Sequence, residues 1–173
     1  MSQHAILIDS ISKRYSACGA RIGAVISKNE KVIKGIHKFA QARLCPSTLE
    51  QIGAAGAYSL PLDYFHDVMN EYQRRRDILF KILTSHPDIV LQKPEGAFYI
   101  MAKLPIKDSD AFARWLLTDF ESGHETVMVA PGAGFYSTPG RGKSEVRLAY
   151  VLETAKLERA GNLLIEALKK YRP

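Results

Sequence analysis

Cysteine is scarce in this chain: Cys18 and Cys45 are the only two, and they form no CxxC pair. The five histidines show no HxxxH or HExxH spacing. This argues against a disulfide framework and against a metal site, and it leaves two lone thiols expected to be free and partly buried. Long apolar runs are missing as well. Runs such as Thr126 to Ala130 fall far short of the roughly 20 residues a membrane-spanning helix needs, and no basic start leading into a greasy stretch marks a signal peptide. The expected protein is cytoplasmic and has no membrane partner. Clustered charge is the third thing lacking. The formal net charge is +6, but the cations are scattered: Lys28, Lys31, Lys34 and Lys38 recur at helical steps, and Arg74, Arg75 and Arg76 fall inside another helical stretch. Solvated helix faces account for both sets, so no nucleic acid is expected as a partner. Individual basic residues remain natural sites for small anions.

The 173 residues are 46% hydrophobic and 24% charged, the balance of a soluble globular chain able to bury a core. Apolar periodicity predicts strands at 4–8 and 20–27 flanking a polar turn, a helix over 29–44, and a second helix starting at Pro46. Pro61 breaks that second helix, and a long helix follows over 62–84. Beyond Pro87 the pattern changes to short strands, "DIVLQ", "GAFYIMA", "TVMVA" and "EVRLAYV", with a helix near 108–120 and a last one over 153–171. Leu157, Ala160, Leu164, Ile165 and Leu168 form its apolar stripe. Strands alternating with helices mean an α/β layered architecture. The long helix is expected to bridge two packing units, residues 1–60 and 61–173.

The stretch "IDSISKRYSACGARIG" concentrates the chemistry. A strand-like run ends at Asp9, and Ser10, Ser12 and Lys13 follow in a short polar turn before Gly19, Arg21 and Gly23. A lysine amine can condense with an aldehyde or move protons when its surroundings allow it, and an arginine forks onto phosphate or carboxylate. Amine, guanidinium and hydroxyls together suit a phosphorylated aldehyde such as pyridoxal phosphate. Read alone, Ser-x-Ser-Lys is a common tetrapeptide, and a solvated turn is the ordinary alternative. Two other glycine-rich stretches carry less. "PGAGFY" lacks the third glycine of a dinucleotide fingerprint, and "STPGRGKS" has Ser137 where a phosphate-binding loop needs its first glycine.

"SISKRYSACGARIG" resembles the cofactor-lysine segment of the class I, fold-type I aminotransferases, in style closest to aspartate aminotransferase-like members. "KPEGAFYIMAKLP", "VMVAPGAGFY" and "EVRLAYV" follow in that family's order, so the resemblance covers essentially the whole chain. It implies an α/β fold: the end of the fold-type I large domain, then a small C-terminal domain, joined by the long helix. It implies pyridoxal phosphate as cofactor, amino acid and 2-oxo acid as substrates, and a homodimer. Residue by residue, it implies that Lys13 holds the cofactor aldehyde and moves the substrate proton, and that Arg21 and Ser10 hold the phosphate. Ser12 orients the turn, Arg147 binds the substrate carboxylate, and Phe98 lines the cleft. Without the resemblance, Arg147 reads as a strand-edge charge and Phe98 as core. Tyr136 departs from the pattern, standing where many members carry glycine.

In that family the lysine segment lies past the middle of the chain. The groups that hold the cofactor ring precede it, so the sequence reads as a C-terminal portion whose activity alone would be weak or nil. A lyase of the same fold, or an aminotransferase-like regulatory module, would carry the same lysine and arginine.

Overall fold

The computed structural model describes residues 2–172, and the chain divides into two compact units, Met1–Tyr64 and Phe65–Pro173.

In the first unit, β1 (Ile6–Ser10) and β2 (Gly23–Ser27) pair antiparallel, with Ser10 opposite Gly23 and Ile6 opposite Ser27. Between them the expected polar turn is instead one turn of helix, α1 (Ile11–Arg14), followed by a 3-10 turn at Cys18–Ala20. The reason is local: the Ser10 hydroxyl accepts from the Ser12 N–H at 3.2 Å and caps α1. Two longer helices follow, α2 (Glu30–Arg43) and α3 (Thr48–Tyr58). Asn29 is not the first residue of α2 but its cap, accepting from the N–H groups of Lys31 and Val32 at 3.1 and 3.2 Å. Pro46 does not start α3 either; its carbonyl accepts from the Gln51 side chain at 2.8 Å, and the helix begins two residues later. Lys28, Lys31, Lys34 and Lys38 are all exposed.

This unit buries little. Ile11 and Ala54 are its buried apolar residues, while Ile6, Leu7, Ile8, Val25 and Ile26 on the two strands and Phe39, Leu49 and Ile52 on the helices stay exposed. Ile8 keeps 76% and Phe39 80% of its surface. A two-stranded ribbon is marginal by itself, and this one is apolar on both faces. Cys18 and Cys45 are free as expected, but both are exposed rather than partly buried.

The helix α4 (Leu62–Thr84) runs on from the first unit into the second. The second unit holds a four-stranded antiparallel sheet in the order β3 (Val90–Leu91), β4 (Tyr99–Lys103), β6 (Glu145–Ala149), β5 (Ala130–Pro131). α5 (Ser109–Thr118), capped by Asp108, and α6 (Thr154–Lys170) complete it. Alternation along the strands points Ile100 and Ala102 of β4 and Val146 and Leu148 of β6 into the core. They meet Phe112 and Leu116 of α5, Leu79 and Leu83 of α4, and Leu157, Leu164 and Ala167 of α6. Each large apolar side chain fully buried there is worth about 1.5–3 kcal/mol. Gly161 lets α6 approach α4: a side chain there would meet Ile82 at 3.0 Å. The expected "TVMVA" strand is reduced to Ala130–Pro131, because the Thr126 hydroxyl is tied to the Leu116 carbonyl and that end of the segment follows α5 instead of the sheet.

The arginine triplet is not the solvated face the sequence suggests. Arg75 bonds Glu71 at 2.7 Å and the Val151 carbonyl at 2.8 Å, and Arg76 bonds Asp77 at 2.8 Å and the Pro94 carbonyl at 3.2 Å. Hydrogen bonds from Arg76 and Lys93 hold the Asp77 carboxyl below its ordinary range. Only Arg74 stands mostly in solvent. Among the described residues no helix is long and apolar enough to cross a membrane, and no group of three or more His, Cys, Asp or Glu could hold a metal.

Candidate functional site

The candidate residues divide between the two units, and each set is built by its own backbone. In the first unit the hairpin of β1 and β2 brings Ser10, Ser12 and Lys13 next to the approach to β2. Besides capping α1, the Ser10 hydroxyl donates to the Ile22 carbonyl at 3.3 Å, and the Ile11 N–H bonds the same carbonyl at 3.3 Å. Arg21, next to Ile22, has φ 53° and ψ 41°, a left-handed conformation uncommon for a residue with a side chain. Its guanidinium donates to the Cys18 carbonyl at 2.7 Å. Ser12 is half-buried, and Ser10, Lys13 and Arg21 are exposed.

A hollow of about 690 Å³ lies against β1, β2 and α2, with Asp9, Arg21, Phe39 and Arg43 in its lining. Ser10, Ser12 and Lys13 are not in that lining. The backbone therefore joins Ser10, Ser12 and Lys13 on one turn with Arg21 close by along the hairpin, while the hollow takes in the arginine alone.

The residue that sequence reasoning passed over in this unit is Asp9. Its carboxylate accepts from the Tyr58 hydroxyl at 2.9 Å, the Ser10 N–H at 2.8 Å and Arg14 at 3.1 Å. These bonds, the tyrosine's first, hold its carboxyl below the usual range, and the same contact raises the Tyr58 phenol.

In the second unit, Arg147 lies on β6 between the buried Val146 and Leu148, so alternation turns it to the face opposite the core. It pairs with Met101 of β4 on one side and Ala130 of β5 on the other. Its guanidinium carbon sits 4.4 Å from the Tyr99 ring centroid and 4.3 Å from that of Phe135. Cation–π attraction holds it between the two rings, and among the described residues no carboxylate lies within ion-pair distance of it. Its donors are therefore not committed to an internal acid. Arg147 also borders an apolar groove of about 520 Å³ with Val127, Met128, Val151 and Leu152.

The loop that delivers Phe135 is held tightly. Gly132 bonds the Glu145 carbonyl at 2.8 Å, and a side chain at Gly132 would stand 2.6 Å from that same oxygen. Gly142 has φ 73°, and a side chain there would meet Gly132 backbone at 2.8 Å. Tyr136 donates its hydroxyl to the Glu145 carboxylate, which raises the phenol, and Arg141 lies over its ring at 5.7 Å. Phe98 is half-buried: it packs 6.0 Å from the Tyr72 ring and 4.4 Å from Tyr99, with the core behind it. The ring on Arg147 from this strand is its neighbour Tyr99.

A lysine and hydroxyls beside an arginine on one hairpin, and an uncommitted arginine on an outer sheet face, are arranged in the order of one protein family. The family described as aminotransferase class I and II matches residues 1–163. The chain belongs to the class I and II aminotransferases. Aspartate aminotransferase of Bacillus subtilis (strain 168) is 29% identical over 179 residues, covering 99% of this chain and 42% of its own length. A probable aspartate/prephenate aminotransferase of Aquifex aeolicus (strain VF5) is 32% identical over 172 residues, covering 94% and 41%. Among solved structures, alanine aminotransferase from Pyrococcus furiosus superposes with a TM-score of 0.79 at 30% identity, over 96% of this chain and 42% of that one. The chain spans about two fifths of the length of these relatives. The fold is α/β, of the kind these aminotransferases have, and the aminotransferase match takes in both Lys13 and Arg147.

Proposed function

We propose that this chain carries the cofactor lysine and the carboxylate-binding arginine of an aminotransferase that uses pyridoxal phosphate to move an amino group from an aspartate-like amino acid to a 2-oxo acid. The observation that carries the reading is that one family match encloses both residue sets, with Ser10, Ser12 and Lys13 fixed on a single capped turn. The donor set fits the cofactor: a hydroxyl and a guanidinium for a dianionic phosphate, and an exposed primary amine for an aldehyde.

In this reading residues 1–60 belong to the cofactor-binding part and 61–173 to the long helix and the small domain. Ser10 and Arg21 grip the phosphate, and Ser12 steadies the turn. Lys13 Nζ would hold the cofactor's aldehyde carbon, and as a free amine it would take the proton from the substrate Cα and return it. When bound, the cofactor supplies a ring that draws electrons from that carbon. Arg147 binds the substrate α-carboxylate with two parallel N–H donors, for which lysine is a poor substitute. Tyr99 and Phe135 provide the aromatic surface beside it, and Phe98, packed on Tyr99, is the proposed lining of the cleft.

The test uses the protein as it stands. After incubation with pyridoxal phosphate and reduction with borohydride, peptide mass mapping is expected to find the label concentrated on Lys13 and lost from it in Arg21→Ala. Label spread evenly over the lysines would refute the assignment.

We also propose that the protein is a homodimer. Exposed Ile8, Phe39 and Leu49 favour association. Light scattering is expected to give twice the chain mass, and a monodisperse monomer would contradict this.

A further inference from the structure

The four-residue helix that carries Lys13 is a single turn, closed at its end by the Tyr15 N–H on the Ile11 carbonyl at 3.1 Å. A single helical turn fixes several torsions for one hydrogen bond and is unstable without outside ties. The ties are unusual in where they attach. Asp9 precedes the turn and Arg14 closes it, and their ion pair at 3.1 Å spans it from end to end with Lys13 inside the bracket. Tyr58, the last residue of α3, reaches the other carboxylate oxygen of Asp9 at 2.9 Å from 49 positions away. Arg14 lies 6.0 Å from the centroid of the same Tyr58 ring, and Tyr15 packs edge-on against that ring at 5.4 Å and along Tyr64 at 6.0 Å. Two sequentially remote elements thus meet on one carboxylate, beside the amine proposed above as the reactive group.

We infer that Asp9, Arg14 and Tyr58 form a positioning network that fixes the direction in which α1 presents Lys13 to an aldehyde. This inference rests on the reading of Lys13 as the group that captures the cofactor. None of the three touches the cofactor in this scheme; they act through the turn. The chemistry of the set is self-consistent at neutral pH. The hydroxyl and guanidinium bonds favour the ionised carboxylate, and the carboxylate favours the protonated phenol, so each group is kept in the state its bond requires. Tyr58 contributes one hydroxyl and one ring face, and these can be separated by substitution.

Tyr58→Phe removes the hydroxyl and keeps the ring. Arg14→Met keeps length and removes charge, and Arg14→Lys restores a cation. Each variant is treated with pyridoxal phosphate, and in parallel with pyridoxal, which lacks the phosphate. After borohydride reduction the label on Lys13 is read against that on Lys34, an exposed lysine of the same unit. Melting curves confirm that each variant is folded.

The Lys13 to Lys34 ratio is expected to fall about tenfold in Tyr58→Phe and Arg14→Met, with either reagent, the scale set by losing one hydrogen bond to a charged group. Arg14→Lys is expected to recover most of it. Arg21→Ala is expected to differ, losing label from pyridoxal phosphate and not from pyridoxal, because it acts on the phosphate. If the variants keep the wild-type ratio, or lose it with the phosphorylated reagent alone, the network is not positioning the amine and the inference falls while the assignment of Lys13 stands. If wild-type protein already labels Lys13 no more than Lys34, both fall together.

Discussion

Truncating Phe112 to alanine is expected to lower the melting temperature of the Phe65–Pro173 unit by roughly 15 °C or more. Phe112 is fully buried on the inner face of α5, with the Tyr171 ring edge-on at 4.9 Å and Trp115 stacked at 6.0 Å. Removing a buried phenyl group forfeits its transfer free energy and leaves a void that the surrounding rings cannot close, together costing about 3–5 kcal/mol. For a unit of this size each kcal/mol is worth about 4–8 °C. Leu117→Ala provides the control. It lies on the same helix, keeps 57% of its surface exposed, and should change stability by no more than about 0.5 kcal/mol. Calorimetry of both variants checks the pair, and equal effects would mean that α5 is not packed by the face described.

Replacing Arg147 with leucine is expected to weaken binding of a small 2-oxo acid by roughly tenfold to a hundredfold. The figure follows from losing a charge-assisted hydrogen bond worth about 1.5–3 kcal/mol, at about 1.4 kcal/mol per factor of ten. Arg147 is suited to the task because its immediate neighbours are the Tyr99 and Phe135 rings, so its outward donors meet no rival acid among the described residues. Arg147→Lys should recover little, since an ammonium offers neither the planar fork nor the same stacking. Titration followed by NMR reads the affinity. Unchanged binding in Arg147→Leu would remove this residue from the proposed site.

Much of the architecture was legible because periodicity carries it. The helix over 62–84 appears as α4, and the stripe on the last helix does bury Leu157, Leu164 and Leu168. "EVRLAYV" reads as a strand and forms one, β6, where alternation sets Arg147 apart from the buried Val146 and Leu148. What could not be read was register and reach. Tyr99 comes to Arg147 only because Met101 pairs opposite that arginine, and Phe135 only because Gly132 and Gly142 fold the intervening loop closely. Periodicity promised a strand at 126–130, yet one hydroxyl contact from Thr126 to α5 diverted most of it. The triplet Arg74, Arg75 and Arg76 has the spacing of a solvated face, but two of its members find backbone carbonyls 18 and 76 positions away, which no local pattern encodes. Asp9 was hidden for the same reason, since its partner Tyr58 is 49 positions distant.

The backbone of Arg21 sets local comfort against usefulness. Its left-handed torsions cost a side-chain-bearing residue about 1–3 kcal/mol and a glycine next to nothing. A population of this chain selected for heat resistance alone would drift toward glycine at that position, and its survivors would be sturdier proteins with one fewer cation to offer an incoming anion.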